Sequence, residues 1–325
     1  MVPDGVRVVT VVDEENDDDY ASRDAVLLRE FDRYLASHPT DVVLVLGDRH
    51  ELLAVTLAAT LRRVPIAHVH GGEVTFGAFD DGVRHAVTKL SHLHLVATAA
   101  AGDRVRQLGE EPWRVTVVGA PGLDAVVRRE RRDDATAHLL GRTVQRPVAL
   151  LTFHPVTAIS SGELELLDAV LEALASVPTV IATAPGLDPG RELFAERLER
   201  WCRDAPGREY FESLGDAYLD VLGDVDLVIG NSSSGVIEAP SIARAVIDVG
   251  VRQAGRERAP GVLHAPNPAS VAALVALATS GEAPALGTNP YGDGTASRRI
   301  CDVLAKVDRD RLLEKRFVDL TDTAA

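Results

Sequence analysis

Three polar residues of this chain stand where acid–base chemistry could be carried out. Asp48 follows the apolar run Asp41–Leu46 after one glycine. Glu73 follows a second apolar run and a pair of glycines, and His154 ends a third run. Carboxylates and imidazoles in such places can exchange protons with a ligand or stabilise positive charge in it. Two other interpretations remain open from the pattern alone, namely a helix cap at Asp48 and a plain turn with a solvated Glu73.

A further set of charged residues opens a predicted helix. Asp80 and Asp81 lie at its start, where the helix dipole favours acids. Arg84 comes about one turn after Asp80 and could simply pair with that carboxylate. His68 and His70 have the i, i+2 spacing of one strand face, but no HExxH or CxxC pattern accompanies them. We therefore expect no metal site.

The stretch from Asn231 to Glu238, NSSSGVIE, follows a short apolar run and has the pattern of a strand, a loop and a helix start. Hydroxyls and backbone N–H groups at a helix start can bind an anion. The alternative is a serine cap followed by an ordinary loop. Three serines before a glycine exceed what capping requires, so the pattern favours diphosphate binding, and Arg252 and Arg256 would add positive charge.

Strand-like and helix-like runs alternate along the chain, which predicts an α/β protein with parallel sheets and helices on both faces. The length predicts two Rossmann-like domains, 1–143 and 144–325, joined by the charged stretch Arg128–Arg146 and closed by the helical segment Ser297–Phe317. In open sheets of this class the ligand lies beyond the carboxyl ends of the strands. The polar motifs follow such ends, so we expect one active-site cleft between the domains.

Composition narrows the choice of partners. The formal net charge is −15 and the isoelectric point about 5.1, which argues against nucleic-acid binding. No apolar run is long enough to span a membrane, and the first residues have no signal-peptide pattern. Cys202 and Cys301 are far apart and fit no redox or metal spacing, so we expect a cytoplasmic protein.

Taken together, these motifs resemble one family, the UDP-N-acetylglucosamine 2-epimerases, and most closely its hydrolysing branch from sialic- and legionaminic-acid pathways. The resemblance rests on strings that cover most of the chain from about residue 40 onward: VLGDRHE, PIAHVHGGEVTFGAFDDGVRHAVTKLSHLHLVAT, VGAPGLD, TFHPVT, GNSSSGVIEAPS, RQAGRERA and NPYGDGTAS. Each string is weak alone, but their shared order is specific.

The resemblance implies a fold like that of GT-B glycosyltransferases and assigns roles to residues. Acid–base catalysis would fall on Asp48, Glu73, Asp80 and His154. Nucleotide and phosphate contacts would fall on Arg49, Arg84, Ser232, Ser233, Glu238 and Arg252, to which the loop pattern adds Asn231, Ser234 and Gly235. The substrate would be UDP-N-acetylglucosamine, with no cofactor, and the protein would form a homodimer or homotetramer.

The reaction implied is loss of UDP to give 2-acetamidoglucal, followed by addition from the other face, which inverts C2. Water as nucleophile gives free N-acetylmannosamine, and UDP as nucleophile gives UDP-N-acetylmannosamine. Two other functions remain open, a glycosyltransferase of the same fold class and a nucleotide-sugar binder without turnover.

The sequence departs from the family pattern in three places. The Thr-Gly-Thr-Arg type turn of the usual first βα unit has no counterpart, so Val6–Val12 corresponds to the family's second strand. His50 stands where an aromatic residue is usual, and Ala184–Gly190 lacks the asparagine of a Pro-Asn-Ala-Asp-Pro-Gly pattern. These differences bear on which nucleophile reaches C1 and which sugar is accepted.

Overall fold

The chain folds into two compact units, which the computed structural model describes for residues 7–11, 20–76, 79–156, 162–186 and 190–319. Unit 1 is made of Met1–Glu73, Asp80–Val117 and Ile300–Ala325, and unit 2 of Val74–Phe79 and Val118–Arg299. The sequence had predicted two contiguous domains that meet at residue 143. In the structure, 118–143 groups with unit 2 and the closing segment groups with unit 1.

Unit 1 contains a parallel sheet of four strands in the order β1-β2-β3-β4. The strands are β1 (Val43–Leu46), β2 (Ile66–Val69), β3 (Leu93–Val96) and β4 (Val115–Val117). Val43 lies opposite Ile66, and Ala67 lies opposite Leu93. Every residue of β2 and β3 is buried, which is why these strands are apolar except for one histidine each and show no polar alternation.

Helices cover this sheet and position its loops. They are α1 (Tyr20–Ser37), α2 (Glu51–Leu61), α3 (Asp80–Leu90) and α4 (Ala99–Gln107). The apolar core includes Val45, Ala58, Ile66 and Val87, all buried. Thr98 caps α4, since its hydroxyl accepts from the backbone N–H of Ala101 at 3.2 Å.

The closing segment is bound to the rest of unit 1 by hydrogen bonds and ion pairs of buried charged side chains. It contains α12 (Ala296–Leu304), which begins in unit 2, and α13 (Arg309–Leu313). Arg114 Nη1 donates to Leu312 O at 2.8 Å. Lys315 Nζ lies 2.9 Å from Glu110 Oε2, and the Glu110 side chain is fully buried. Burial opposes ionisation of Glu110, but hydrogen bonds from His94, Lys89 and Lys315 lower its pKa to about 2.

Unit 2 contains a parallel sheet of six strands in the order β10-β9-β8-β5-β6-β7. The strands are β5 (Val148–Thr152), β6 (Thr179–Thr183), β7 (Arg208–Phe211), β8 (Leu227–Gly230), β9 (Val246–Val249) and β10 (Leu263–Ala265). Strand order reverses between β5 and β8, which is the switch point where such sheets bind ligands. The two parallel sheets confirm the predicted α/β class with Rossmann-like units.

The helices of unit 2 flank this sheet. They are α5 (Gly122–Arg128), α6 (Ala135–Leu140), α7 (Glu163–Leu174), α8 (Arg191–Arg203), α9 (Tyr218–Asp224), α10 (Ser233–Ile237) and α11 (Pro268–Thr279). The stretch 128–146, predicted to be a connection, is tied into unit 2. Arg129 Nε lies 2.5 Å from Asp220 Oδ1, and the N–H of Thr136 donates to the buried Asp224 carboxylate at 2.8 Å.

One predicted strand is absent from the described part of the chain. Residues 7–11 have no regular secondary structure, and Val6 and Val12 lie outside the described residues. Among the described residues, strand β1 lies at an edge of its sheet, and its Leu44 and Leu46 are 50% and 59% exposed. No helix within the described ranges is long and apolar enough to cross a membrane.

Candidate active site

A buried histidine stabilises the turn that carries Asp48 by a hydrogen bond to the backbone. Gly47 follows β1 with φ +85°, a conformation that favours glycine. His68 of β2 donates from Nε2 to Gly47 O at 2.8 Å and accepts at Nδ1 from the Thr88 hydroxyl at 3.1 Å. Burial lowers the pKa of His68 to about 4, so the ring is neutral and both contacts are satisfied. Asp48 itself is 30% exposed.

Arg84 connects Asp48 with the loop that carries Glu73. The Arg84 side chain, one turn into α3, is only 2% exposed. Its Nη2 donates to the Asp48 carboxylate, and its Nη1 donates to Asp81 Oδ1 and to Glu73 O, each at 2.9 Å. The sequence paired Arg84 with Asp80 or with a phosphate. The structure places its guanidinium against Asp48 and Asp81, so that it orients the turn.

His70 and Glu73 form a close pair at the end of β2. His70 Nδ1 lies 2.5 Å from Glu73 Oε1, with side chains 17% and 6% exposed. The backbone of His70 has φ +64°, which is uncommon outside glycine. Gly72 lets the turn approach α4, since a Cβ there would lie 2.2 Å from Ala101 O. This short turn therefore fixes the pair rigidly.

The other predicted residues of unit 1 lie at the rim of this group. Arg49 is exposed, and its Nε lies 3.2 Å from Glu51 Oε1. Asp80 begins α3 and is half-buried. His50, at the position where the family usually has an aromatic residue, lies 2.9 Å from Asp24 through Nδ1 and Oδ2. The structure thus brings together Asp48, Glu73 and Arg84, with Arg49 directed to Glu51.

In unit 2, His154 and Asn231 meet at the switch point between β5 and β8. Asn231 Oδ1 accepts from the N–H of His154, and Asn231 Nδ2 donates to His154 O, both at 2.7 Å. Gly230 is required before Asn231, because a Cβ there would lie 1.8 Å from Thr152 O. Asn231 is 2% exposed, so its side chain serves to fix the strand ends.

The side chain of His154 is held in one protonation form. The backbone N–H of Gly186 donates to His154 Nδ1 at 2.8 Å, so that nitrogen carries a lone pair. Burial lowers the pKa of His154 to about 4, and the charge of Arg252 adds to this effect. The neutral ring therefore carries its proton on Nε2, where it can donate a hydrogen bond.

The serine loop contains both a cap and a free hydroxyl. Ser232 caps α10, accepting from the N–H of Ser234 at 3.4 Å, and the Ser234 hydroxyl is bonded to Tyr218. Burial raises the pKa of Tyr218 to about 12. The Ser233 hydroxyl has no hydrogen-bond partner within the described residues. The loop therefore contains the cap at Ser232, and diphosphate binding at Ser233 stays a prediction.

Two side chains from the loop after β9 converge on the same place. Gln253 Nε2 donates to Asn231 O at 2.8 Å, and Arg252 Nη1 donates to the same oxygen at 3.3 Å. Arg256 Nη1 donates to Gln253 Oε1 at 2.5 Å. Glu238, at the end of α10, lies against Gly122, where a Cβ would come 3.2 Å from its Oε1. Arg252 therefore brings positive charge to the serine loop, and its contact with a diphosphate stays a prediction.

Sequence reasoning missed several of these residues. His70 was visible within the HGGE string and Gln253 within RQAGR, so both had a signal in the sequence. Tyr218 and Gly186 had none, since each depends on a contact between distant segments. In the described ranges, no three His, Cys, Asp or Glu side chains are grouped so that they could hold a metal ion.

Comparison with known proteins decides the family. The chain matches the sequence profile of the family described as UDP-N-acetylglucosamine 2-epimerase over residues 7–305. It belongs to this family. Within the family, it is 36% identical over 281 residues to the UDP-N,N'-diacetylbacillosamine 2-epimerase (hydrolyzing) of Legionella pneumophila, a match covering 85% of this chain and 74% of that protein.

A second relative and a solved structure agree with this assignment. The GDP/UDP-N,N'-diacetylbacillosamine 2-epimerase (hydrolyzing) of Campylobacter jejuni is 33% identical over 230 residues, which is 69% of this chain and 59% of that protein. The crystal structure of UDP-GlcNAc 2-epimerase from Neisseria meningitidis bound to UDP-GlcNAc superposes with a TM-score of 0.74 at 18% identity, covering 90% of this chain and 84% of that one. The predicted family and its fold are confirmed.

Proposed function

We propose that this protein is a hydrolysing 2-epimerase that converts UDP-N-acetylglucosamine to N-acetylmannosamine and UDP. The observation that carries the proposal is the group around Arg84, a buried guanidinium bonded to Asp48 and to the backbone of Glu73. A family match alone would leave turnover open. A partly exposed carboxylate that a buried cation holds in place, as at Asp48, is suited to proton transfer.

The chemistry follows from the substrate. The C2–H of the sugar is not acidic, because no carbonyl is adjacent to C2, so UDP leaves first and positive charge develops at C1. The carboxylates Asp48, Glu73 and Asp80 of unit 1 stabilise that charge and provide the groups that move protons at C2. Arg84 acts on this set through Asp48 and Glu73.

Unit 2 supplies groups suited to the departing diphosphate. Ser233 offers a hydroxyl, Arg252 a positive charge, and His154 a neutral Nε2–H donor. These donors offset the negative charge that builds on the β-phosphate as the C1–O bond breaks. Because His154 donates without titrating near neutral pH, this part of the site works over a wide pH range.

Two observations support the hydrolysing outcome and raise a second candidate for the sugar. The Legionella and Campylobacter relatives are both named as hydrolysing enzymes, so water is the proposed nucleophile at C1. Both names give N,N'-diacetylbacillosamine as the sugar. UDP-N,N'-diacetylbacillosamine is therefore the second candidate substrate.

The test is incubation of the protein with each UDP-sugar in deuterium oxide, followed by proton NMR. Hydrolytic epimerisation gives the free manno-configured sugar with deuterium at C2. A UDP-linked manno product would instead show the non-hydrolysing reaction. Absence of UDP release from both sugars would refute the proposal. Release of UDP only in the presence of an added acceptor would indicate a glycosyltransferase.

The cellular compartment and the oligomeric state of the protein are also proposals. Cys202 is buried and Cys301 exposed, and both are free thiols, as in a reducing compartment. We therefore place the reaction in the cytoplasm, where the protein acts as a homodimer or homotetramer. Size-exclusion chromatography with light scattering measures the oligomeric state directly.

A further inference from the structure

His70 and Glu73 have the arrangement of a histidine base oriented by a carboxylate. Nδ1 of His70 lies 2.5 Å from Glu73 Oε1. An ionised carboxylate can only accept, so Nδ1 carries the proton and Nε2 carries the lone pair. Nε2 has no hydrogen-bond partner within the described residues, and the side chain keeps 17% of its surface exposed. A lone pair is therefore free to meet a ligand.

We propose that His70 is the base that takes the C2 proton and that Glu73 is its positioning residue. This inference rests on the function proposed above. It changes the role of Glu73, whose carboxylate then acts through the imidazole. The pair follows the general logic in which a base is held in one tautomer by a third group.

The backbone at His70 gives independent support. A non-glycine residue at φ +64° is strained, and such strain persists only where surrounding structure imposes it. Here Gly72 packs against α4, and Arg84 Nη1 donates to Glu73 O at 2.9 Å, so the turn is held on both sides. The result is a side chain aimed from the carboxyl end of β2, where ligands of this fold bind.

The proposed step balances as follows. The C1–O bond breaks, and its electron pair leaves with the β-phosphate of UDP. The C2–H bond breaks, its proton goes to Nε2 of His70, and its electron pair forms the C1=C2 double bond of 2-acetamidoglucal. The imidazolium that results lies beside the Glu73 carboxylate, which stabilises its charge. The proton then passes to solvent before water adds to C1.

The positive φ allows a clean experiment. Glycine adopts this conformation without strain, so His70→Gly keeps the turn and opens a space that free imidazole can fill. We expect the rate of C2 deuteration during turnover in deuterium oxide to fall by about 10²- to 10⁴-fold, and imidazole to restore it by about tenfold or more. Arg63→Gly is the matched control, because Arg63 also has a positive φ, 55°, and lies outside the site. It should keep the wild-type rate and show no response to imidazole.

A second variant distinguishes a positioning role of Glu73 from a purely structural role. Glu73→Gln still accepts from Nδ1–H but cannot stabilise the imidazolium, so kcat should fall by about 10²-fold with little change in KM. The nitrogen-15 NMR shifts of His70 in the wild-type protein should show the Nδ1–H tautomer at neutral pH. This NMR measurement requires neither catalytic turnover nor a variant protein.

The outcomes are distinct. A wild-type protein that releases no UDP overturns the proposed function, and this inference with it. An active wild type whose His70→Gly variant retains its rate, or loses it without any imidazole response while staying folded, overturns the inference alone. An Nε2–H tautomer of His70 in the NMR spectrum does the same.

Discussion

The buried histidine His68 makes the stability of unit 1 depend on pH. Its side chain is inaccessible to solvent, and burial lowers its pKa from the ordinary 6.5 to about 4. In the unfolded chain the same imidazole takes up a proton near pH 6.5, so acid favours unfolding. Because the folded pKa is the lower one, stability is complete above pH 6.5 and is lost as the pH falls from 6.5 towards 4.

The size of this loss follows from the two pKa values. The difference between 6.5 and about 4 corresponds to about 3 kcal/mol, at about 1.4 kcal/mol for each pKa unit. By pH 5, most unfolded chains carry the proton while the folded ring remains neutral, so about 2 kcal/mol is already lost. That is a large part of the free energy of unfolding of an ordinary domain.

Amide hydrogen exchange of β2 (Ile66–Val69) measures the effect within unit 1, without requiring that both units unfold together. We compare wild type with His68→Gln at pH 7, 6 and 5. Glutamine does not titrate, so wild type should lose about 2 kcal/mol more protection by pH 5 than the variant. His138→Gln, at an exposed position of α6, should keep the wild-type slope. Parallel curves for wild type and His68→Gln would refute the reasoning.

Three further predictions concern single side chains. Asp48→Asn removes a charge at constant size, so kcat for UDP release should fall by about 10²- to 10⁴-fold in a coupled UDP assay. Ser233→Ala removes a hydroxyl available to the diphosphate and should raise KM about three- to tenfold, whereas Ser232→Ala removes the helix cap and should lower the free energy of unfolding by about 1 kcal/mol. Lys315→Met leaves the buried Glu110 carboxylate with one cation fewer and should lower the free energy of urea unfolding by about 3 kcal/mol.

Each of these predictions has a contrary result. Full activity of Asp48→Asn would remove that carboxylate from the chemistry. Equal effects of the two serine variants on KM and on stability would mean that cap and ligand donor are not separate groups. An unchanged midpoint for Lys315→Met would mean that the closing segment adds nothing to the stability of unit 1.

The strand–turn junctions were predictable because each combines two simple signals. Strands buried on both faces read as short apolar runs, and a glycine or a polar residue follows directly. Strands β2 and β9 are of this kind, since every residue in each is buried. These elements are specified locally, so a single sequence suffices.

Other elements depend on their neighbours and were not predictable. Strand β7 (Arg208–Phe211) is half-buried throughout and lies at a sheet edge, so it has neither an apolar run nor clear alternation. Conversely, Val6–Val12 has a strand pattern, but residues 7–11 have no regular secondary structure.

The candidate site likewise contains residues whose placement the sequence predicted and residues whose role it could not predict. The residue types and strand ends placed Asp48 and Glu73 at one edge of a sheet, which the parallel strands impose. The role of Arg84 could not be predicted, since its main partner lies 36 residues away and is reached only once α3 packs on β2. The tautomers of His70 and His154 depend on single hydrogen bonds, to Glu73 and Gly186, that leave no trace in spacing.

The contacts between the closing segment and the rest of unit 1 affect the order in which the two units fold during synthesis on the ribosome. Arg114 bonds to the carbonyl of Leu312, 198 residues later, and the buried Glu110 carboxylate binds Lys315 in addition to Lys89 and His94. Unit 2 is complete once Arg299 has left the exit tunnel, whereas unit 1 begins first and is finished last. Its core therefore remains unfinished, without the contacts from Leu312 and Lys315, while an entire second unit is translated. Order of emergence and order of completion are thus opposite in this chain.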